Sequence, residues 1–379
     1  MKVNIDKKDL STITSLVHRA ASNKNAVPVL SGLLIEASKD KGLTMTATDM
    51  EIGIKSSTMS ADIIEEGSVL VNAYYFSDFI KLLPDTNVVM DLNQEKAKLN
   101  ISYGRSSGYL NTYQNQEYPE LPLAKMNQIF CISQKTLKDA LKKTAFAAAG
   151  SHFRQVFTGI LFDIISSTQL KIVASDTHRL ACYDCTIENG PEKPLSFIIP
   201  VRTVNELLRL LEDSDEPLNI ALAENNVIFY KEEFLLLSRL IEGQYPNYEQ
   251  VIPTSFSTQV QIGSYTLAES LERAKTMPVD DKVKIPHVQL ALKDSEAVIN
   301  SYSEEMGEIQ EIIENVQIDG ENEFTISFNT YYFYDAVKIF APECPDINIS
   351  LSGSLGPAML KNPEKDNYIY ILVPLRTNN

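Results

Sequence analysis

Three stretches of the chain set apolar residues at helical spacing: Phe76, Phe79, Ile80, Leu83; then Val204, Leu207, Leu208, Leu211; then Phe333, Ala336, Val337, Phe340. Each i, i+3, i+4, i+7 set is one face of a helix able to pack on a sheet, which predicts helices near 73–84, 201–212 and 330–340. Leu10, Leu137 and Leu267 open three further helical patterns, near 6–22, 133–149 and 264–276. Between the helices lie short, alternating, β-branched runs such as Leu43 to Thr48 and Leu170 to Ser175, punctuated by Asp, Asn, Gly and Pro. These read as strands. They come in runs rather than one per helix, so the pattern predicts antiparallel sheets with helices on one side, an α+β class.

The pattern repeats. Residues 71–83 align with 199–211 and again with 329–340, and Asn72, Tyr74, Tyr75, Phe76, Asp78 and Lys81 are identical to Asn329, Tyr331, Tyr332, Phe333, Asp335 and Lys338. Gly32 to Glu36 matches Gly159 to Asp163, and Tyr118-Pro119 matches Tyr245-Pro246. Three copies of one unit follow, near 1–127, 128–254 and 255–379, as a chain of 379 residues needs more than one core. With no low-complexity linker between them, the sheets of neighbouring units could join edge to edge and so protect their edges.

Composition removes several classes of function. The four cysteines are too few and scattered for a disulfide framework, and Cys182 and Cys185, spaced C-x-x-C on a strand, should point to opposite faces. No zinc or other metal spacing is present, and the Gly353 to Gly356 stretch lacks the Lys and Ser/Thr of a phosphate loop, so no cofactor is expected. The absence of an apolar signal core or an 18-residue apolar run predicts a soluble, cytoplasmic protein.

A net charge of −16 argues against coating nucleic acid by bulk attraction, but the cations are not spread evenly. Lys81, Arg209 and Lys338 stand at one repeat position, about 150° round the second helices from the apolar stripe. Lys135, Lys138 and Lys142 stand away from the apolar side of the helix near 133–149, as do Lys8 and Arg19 on the first. One such face is ordinary solvated surface, whereas its recurrence in an acidic chain marks a basic surface. The third copy departs, with Glu269 and Glu272 outward beside Arg273.

The densest polar run is Val173 to Ala181, with a relative in Thr46 to Glu51. A catalytic reading would use Ser175, Asp176 and His178. Read as a strand, Asp176 and His178 share one face and Ser175 takes the other, so no nucleophile, base and orienter relay forms. His178 reads better as a rim residue or structural hydrogen-bonder.

Taken together, the start MKVNIDKKDL, Pro28 to Leu34, Thr46 to Glu51, Ala174 to Ala181, Gln244 to Tyr248 and the ending Val373 to Arg376 resemble the bacterial DNA polymerase III β subunit, the processivity sliding clamp. The resemblance covers the whole chain. It implies a head-to-tail homodimer of six similar domains whose helices line a hole around duplex DNA, bound without regard to sequence. It also implies partners, namely the replicative polymerase subunit, the clamp loader and other proteins carrying a short clamp-binding motif. Their pocket maps onto Phe157, Ser175, Thr177, His178, Arg179, Leu180, Pro246, Val251, Ile371, Val373, Pro374 and Leu375. Gln250 stands where some relatives carry Arg, and Thr377 to Asn379 extend past the usual end. DNA-contacting positions map onto Lys24 and Arg154 besides the basic helices, and the subunit interface onto Leu110 and Met277. The alternative from another class is a repeat scaffold that binds proteins but not DNA. Along the last strand, Tyr368 to Leu375, neighbours face opposite ways, so one face should be structural and the other should bind.

Overall fold

Among the described residues six α-helices form where the apolar spacing predicts them: α1 (Lys7–Val17), α2 (Ala73–Leu82), α3 (Gln134–Thr144), α4 (Val201–Leu210), α5 (Ser264–Ala274) and α6 (Thr330–Phe340). The identity of Asn72 and Asn329 has a local cause. Each side chain accepts hydrogen bonds from the two backbone N–H groups that open its helix, Tyr74 and Tyr75 in α2, Tyr331 and Tyr332 in α6. Asp6 caps α1 through the Lys8 N–H. α1 and α3 stop short of the predicted ends because a 3₁₀ turn follows each and the backbone becomes extended at Ala21 and Ala148. The apolar stripes are the buried ones: Phe76 and Ile80, Val204 and Leu207, Phe333, Val337 and Phe340. Burying a side chain of this size stabilises by about 1.5–3 kcal/mol.

The structure is a computed structural model describing residues 1–22, 27–113, 117–123, 126–278, 285–321 and 323–376. Lys24 and Thr377 to Asn379 therefore lie outside the described residues. Every strand pairing among the described residues is antiparallel.

One compact unit comprises Met1–Lys138, Ile187–Glu192 and Arg202–Leu240. Its eight-stranded sheet runs Asn127–Ser133, Pro217–Ala223, Asn226–Tyr230, Phe234–Arg239, Ile52–Thr58, Gly42–Thr48, Gly32–Ser38, Gly67–Asn72. The join between repeats is the pairing of Phe234–Arg239 with Ile52–Thr58, in which Leu236 faces Ile54. A five-stranded sheet, Asp62–Glu65, Lys2–Asp6, Asn87–Asn93, Lys98–Tyr103, Ser106–Asn111, completes the unit.

The other unit comprises Asp139–Thr186, Lys193–Val201 and Ile241–Asn379. Its nine-stranded sheet runs Leu195–Pro200, Gly159–Ile164, Gln169–Ser175, Arg179–Thr186, Tyr368–Leu372, Ala358–Lys361, Asp346–Leu351, Thr258–Gly263, Gln317–Gly320. Here Arg179–Thr186 and Tyr368–Leu372 make the join, with Leu180 opposite Ile371. A four-stranded sheet runs Gly307–Ile313, Glu296–Ser303, His287–Lys293, Glu323–Asn329. Edge-to-edge joining of neighbouring repeats is thus present twice. The compact units follow the long sheets, each of which takes strands from two repeats.

Candidate functional site

The Val173 to Ala181 run is not one continuous strand. One strand ends at Ser175, the next begins at Arg179, and residues 176–178 turn between them. The Asp176 carboxylate Oδ1 accepts from the backbone N–H groups of His178 and Arg179, both at 3.0 Å. The Ser175 hydroxyl donates to the Arg179 carbonyl at 2.8 Å and accepts from the Thr177 N–H at 3.2 Å. Thr177 is held at φ +76°, a region a β-branched residue keeps only when its surroundings over-determine it. The first repeat builds the same turn. Asp49 accepts from Glu51 and Ile52, Thr48 donates to the Ile52 carbonyl, and Met50 has φ +77°. The repeated Ser/Thr-Asp pair therefore encodes a turn, and its polar atoms are already committed to the backbone.

The turn aims Arg179. Its Nε donates to Asp176 Oδ2 at 3.0 Å, one terminal nitrogen to Asp335 Oδ2 on α6 at 2.9 Å, and the other to the Phe146 carbonyl at 2.7 Å. The guanidinium lies 4.1 Å over the Tyr332 ring. Arg179 thus ties the turn of one repeat to the second helix of the next by charge-assisted bonds and a ring face.

Beside this turn lies an open groove of about 670 Å³. Phe157, Leu180, Pro246, Val251, Ile371 and Val373 supply apolar surface, and Ser175, Thr177 and Arg179 supply polar atoms. Beneath it Phe157, Leu180, Cys182, Tyr245, Tyr248 and Ile371 pack as one cluster. Nine of the twelve expected pocket residues therefore line this one groove. The other three do not line it. His178 is exposed, with its ring 6.4 Å from that of Tyr332 and its carbonyl accepting from the Val373 N–H at 2.9 Å. Leu375 is tied to another strand through its N–H to the Ser327 carbonyl, and Pro374 stands between the two. A turn at 176–178 turns His178 away, which a strand periodicity could not anticipate.

Sequence reasoning missed Tyr245, Asn247, Tyr248, Ile252 to Ser255, Ser352 and Pro357 as lining residues. The signal available was the repeated Tyr-Pro pair. In the first repeat Tyr118 Oη accepts from the Thr48 N–H at 2.9 Å and donates to the Gly32 carbonyl at 3.1 Å. Tyr248 Oη donates to Asp163 Oδ2 at 2.8 Å. Burial pushes the Tyr245 and Tyr248 phenols well above their ordinary range, so both stay neutral. The last strand divides as alternation requires: Ile371 turns to the groove, while Tyr370 donates to the Tyr332 carbonyl and stacks on Phe146. Cys182 and Cys185 are buried and free, and burial holds the Cys182 thiol up at about 12.

Of the basic positions, Lys81, Lys135, Lys142, Arg154 and Lys338 are exposed. Lys138 departs from expectation: it is partly buried and paired with Asp213 at 3.4 Å, because its turn of α3 packs against the 211–216 loop. Arg209 is exposed but bonded to Glu206 at 2.7 Å. Leu110 lies on the edge strand Ser106–Asn111, and Met277 follows α5, its N–H bonded to the Ala274 carbonyl. Among the described residues no group of three or more His, Cys, Asp or Glu is placed to hold a metal, and no helix is long and apolar enough to cross a membrane.

A thrice-repeated α+β unit, sheets joined edge to edge and a groove at the second join define a clamp-type protein. The chain belongs to the DNA polymerase III beta subunit family, whose N-terminal, central and C-terminal domain models match residues 1–122, 131–247 and 249–376. It is 29% identical over 385 residues to the beta sliding clamp of Bacillus subtilis, covering 100% of both chains. It is 30% identical to that of Halalkalibacterium halodurans, over 95% of this chain and 96% of the relative. Among solved structures, the Bacillus subtilis sliding clamp superposes with a TM-score of 0.91 at 29% identity, covering 100% of both chains. A Pseudomonas aeruginosa sliding clamp bound to griselimycin gives 0.91 at 26%, again over 100% of both. Membership places the chain among the non-catalytic processivity factors of DNA polymerase.

Proposed function

We propose that two copies of this chain close head to tail into a ring of six repeats, near 1–127, 128–254 and 255–379 in each copy. The ring encircles duplex DNA in the cytoplasm and tethers the replicative polymerase subunit, the clamp loader and other motif-bearing proteins through the groove. The observation that carries this reading is the pair of unmatched sheet edges. Ser106–Asn111 is the repeat equivalent of Phe234–Arg239, and Gly307–Ile313 that of Ile52–Thr58, yet each is the outermost strand of its sheet among the described residues. Transferring the internal register pairs Ser107 with Gln310, Gly108 with Ile309, Tyr109 with Glu308 and Leu110 with Gly307 of a second copy. Charge suits this pairing: Arg105 and Lys98 flank one edge, and Glu305 and Glu308 the other.

A ring retains duplex by topology, so weak phosphate contacts from Lys24, Lys81, Lys135, Lys142 and Lys338 suffice, with Lys138 and Arg209 contributing less because Asp213 and Glu206 hold them. The test joins solution mass to retention on closed circular DNA. A dimer that stays on closed plasmid and slips off after linearisation supports the reading. A monomer at micromolar concentration, or equal loss from both DNA forms, refutes it and favours a protein-only scaffold. A Ser107→Cys, Gln310→Cys double variant should form an intermolecular disulfide, and its failure under oxidation refutes the register.

A further inference from the structure

Four aromatic rings run in sequence from the groove floor to solvent. Tyr245 and Phe157 meet edge to face at 5.8 Å, Phe157 and His152 at 4.9 Å, and His152 stacks on Phe153 at 4.5 Å. Phe153 ends the ladder 85% exposed. An isolated exposed Phe is unremarkable on a protein surface. This one is held in place, because the His152 Nδ1 accepts the Arg154 N–H at 3.0 Å and fixes the ring against which Phe153 lies. The Arg154 guanidinium sits 5.6 Å from the Phe153 ring, exposed and without a carboxylate partner among the described residues.

We propose that Phe153 and Arg154 extend the groove, taking the part of a bound peptide that flanks its apolar anchor: an aromatic side chain against the open face of Phe153 and a carboxylate against Arg154. The proposal rests on the reading of the groove as a partner-peptide site, with which the ladder is continuous through Phe157. Offset stacking on a fixed ring is the geometry aromatic pairs prefer, and a free guanidinium beside it selects an acidic neighbour. The surface therefore discriminates among partners that share the same anchor. A nucleobase could use the same ring and cation, but continuity with an apolar groove floor favours a peptide.

The experiment titrates three fluorescent peptides against the intact protein: a Gln-Leu-Ser-Leu-Phe pentapeptide, and the same sequence preceded or followed by Trp-Asp. One extended peptide should bind about three- to ten-fold more tightly than the pentapeptide. Phe153→Ala should erase that gain and leave pentapeptide affinity unchanged, while Phe153→Tyr should retain it. The proposal is overturned if neither extension gains, or if the gain survives Phe153→Ala. It is equally overturned if a single-stranded oligonucleotide binds in a Phe153-dependent way while the extensions do not gain. A pentapeptide that fails to bind at all removes the groove reading, and this extension with it.

Discussion

Replacing Arg179 by Met keeps most of the side chain's aliphatic volume and removes three charge-assisted hydrogen bonds, to Asp176, Asp335 and the Phe146 carbonyl. The consequences differ at each end. The Arg179 and Asp176 side chains are only 10% and 9% exposed, so the substitution leaves a buried carboxylate with its backbone donors but no counter-charge. Removing one partner of a buried pair costs about 3–5 kcal/mol. Asp335 is 39% exposed and regains water, so its share is about 1 kcal/mol or less. We take roughly 3 kcal/mol overall, since the Asp176–backbone bonds persist. For a cooperative unit of 150–250 residues this lowers Tm by about 6–12 °C. The chain contains no tryptophan, so the melt is followed by circular dichroism rather than indole fluorescence. Asp335→Asn, which keeps an acceptor, should shift Tm by less than about 3 °C. A change under about 2 °C for Arg179→Met would show that the guanidinium is not holding the turn, and the account of the second join would be wrong.

Val373→Asp sets a charge on the groove wall and should weaken pentapeptide binding by about 2 kcal/mol, near 30-fold, with dimer mass unchanged; equal affinity in both proteins removes the groove assignment. Ile309→Asp should lower dimer affinity, and dimerisation should weaken with salt because both edges carry charge; a salt-independent dimer argues against the edge pairing. Reversing Lys81, Arg209 and Lys338 to Glu should shorten retention on closed plasmid without altering the melt, and unchanged retention removes those helices from the DNA-facing surface. Burial raises the folded Cys182 thiol to about 12, so this group's contribution is fully present below the unfolded thiol range near 8.5 and is lost as pH rises toward 12. Melts between pH 8 and 11 should therefore fall by about 1 kcal/mol per pH unit for this group, and Cys182→Ala should flatten the slope; an identical slope contradicts the assignment.

Much of this was legible because repetition constrained it. Among the described residues all six α-helices follow from apolar spacing, whereas the repeated Asn72 and Asn329 were read only as a repeat and their capping of two helix starts came from the structure. Joining of the sheets across repeats was foreseeable from the lack of linkers, but not which strands would meet, because alternation is satisfied by any edge. The apolar groove members were legible through the resemblance. Tyr245 was legible only as half of the repeated Tyr-Pro pair and Tyr248 not at all, since a buried tyrosine on a loop leaves no hydrophobic periodicity.

The 176–178 turn shows where periodicity gives out. Apolar alternation on both sides of Ser175-Asp176-Thr177-His178 let the whole run pass for one strand, and the left-handed Thr177 is a residue type that argues against a turn. What forces the turn is the Asp176 carboxylate collecting two backbone N–H groups, a short-range interaction invisible to hydropathy. The repeat held the missing information. Two copies keep Asp at one position while the residues after it differ, Met50-Glu51-Ile52 against Thr177-His178-Arg179, so the retained group had to serve the backbone. The variable positions then specialise. At the first join Asp49 pairs with Arg202 of α4, whereas at the second Arg179 reaches Asp335 of α6, with the charges exchanged between turn and helix. The same fold constraint is met by opposite charge orders, and only the second leaves a guanidinium at the lip of an apolar groove.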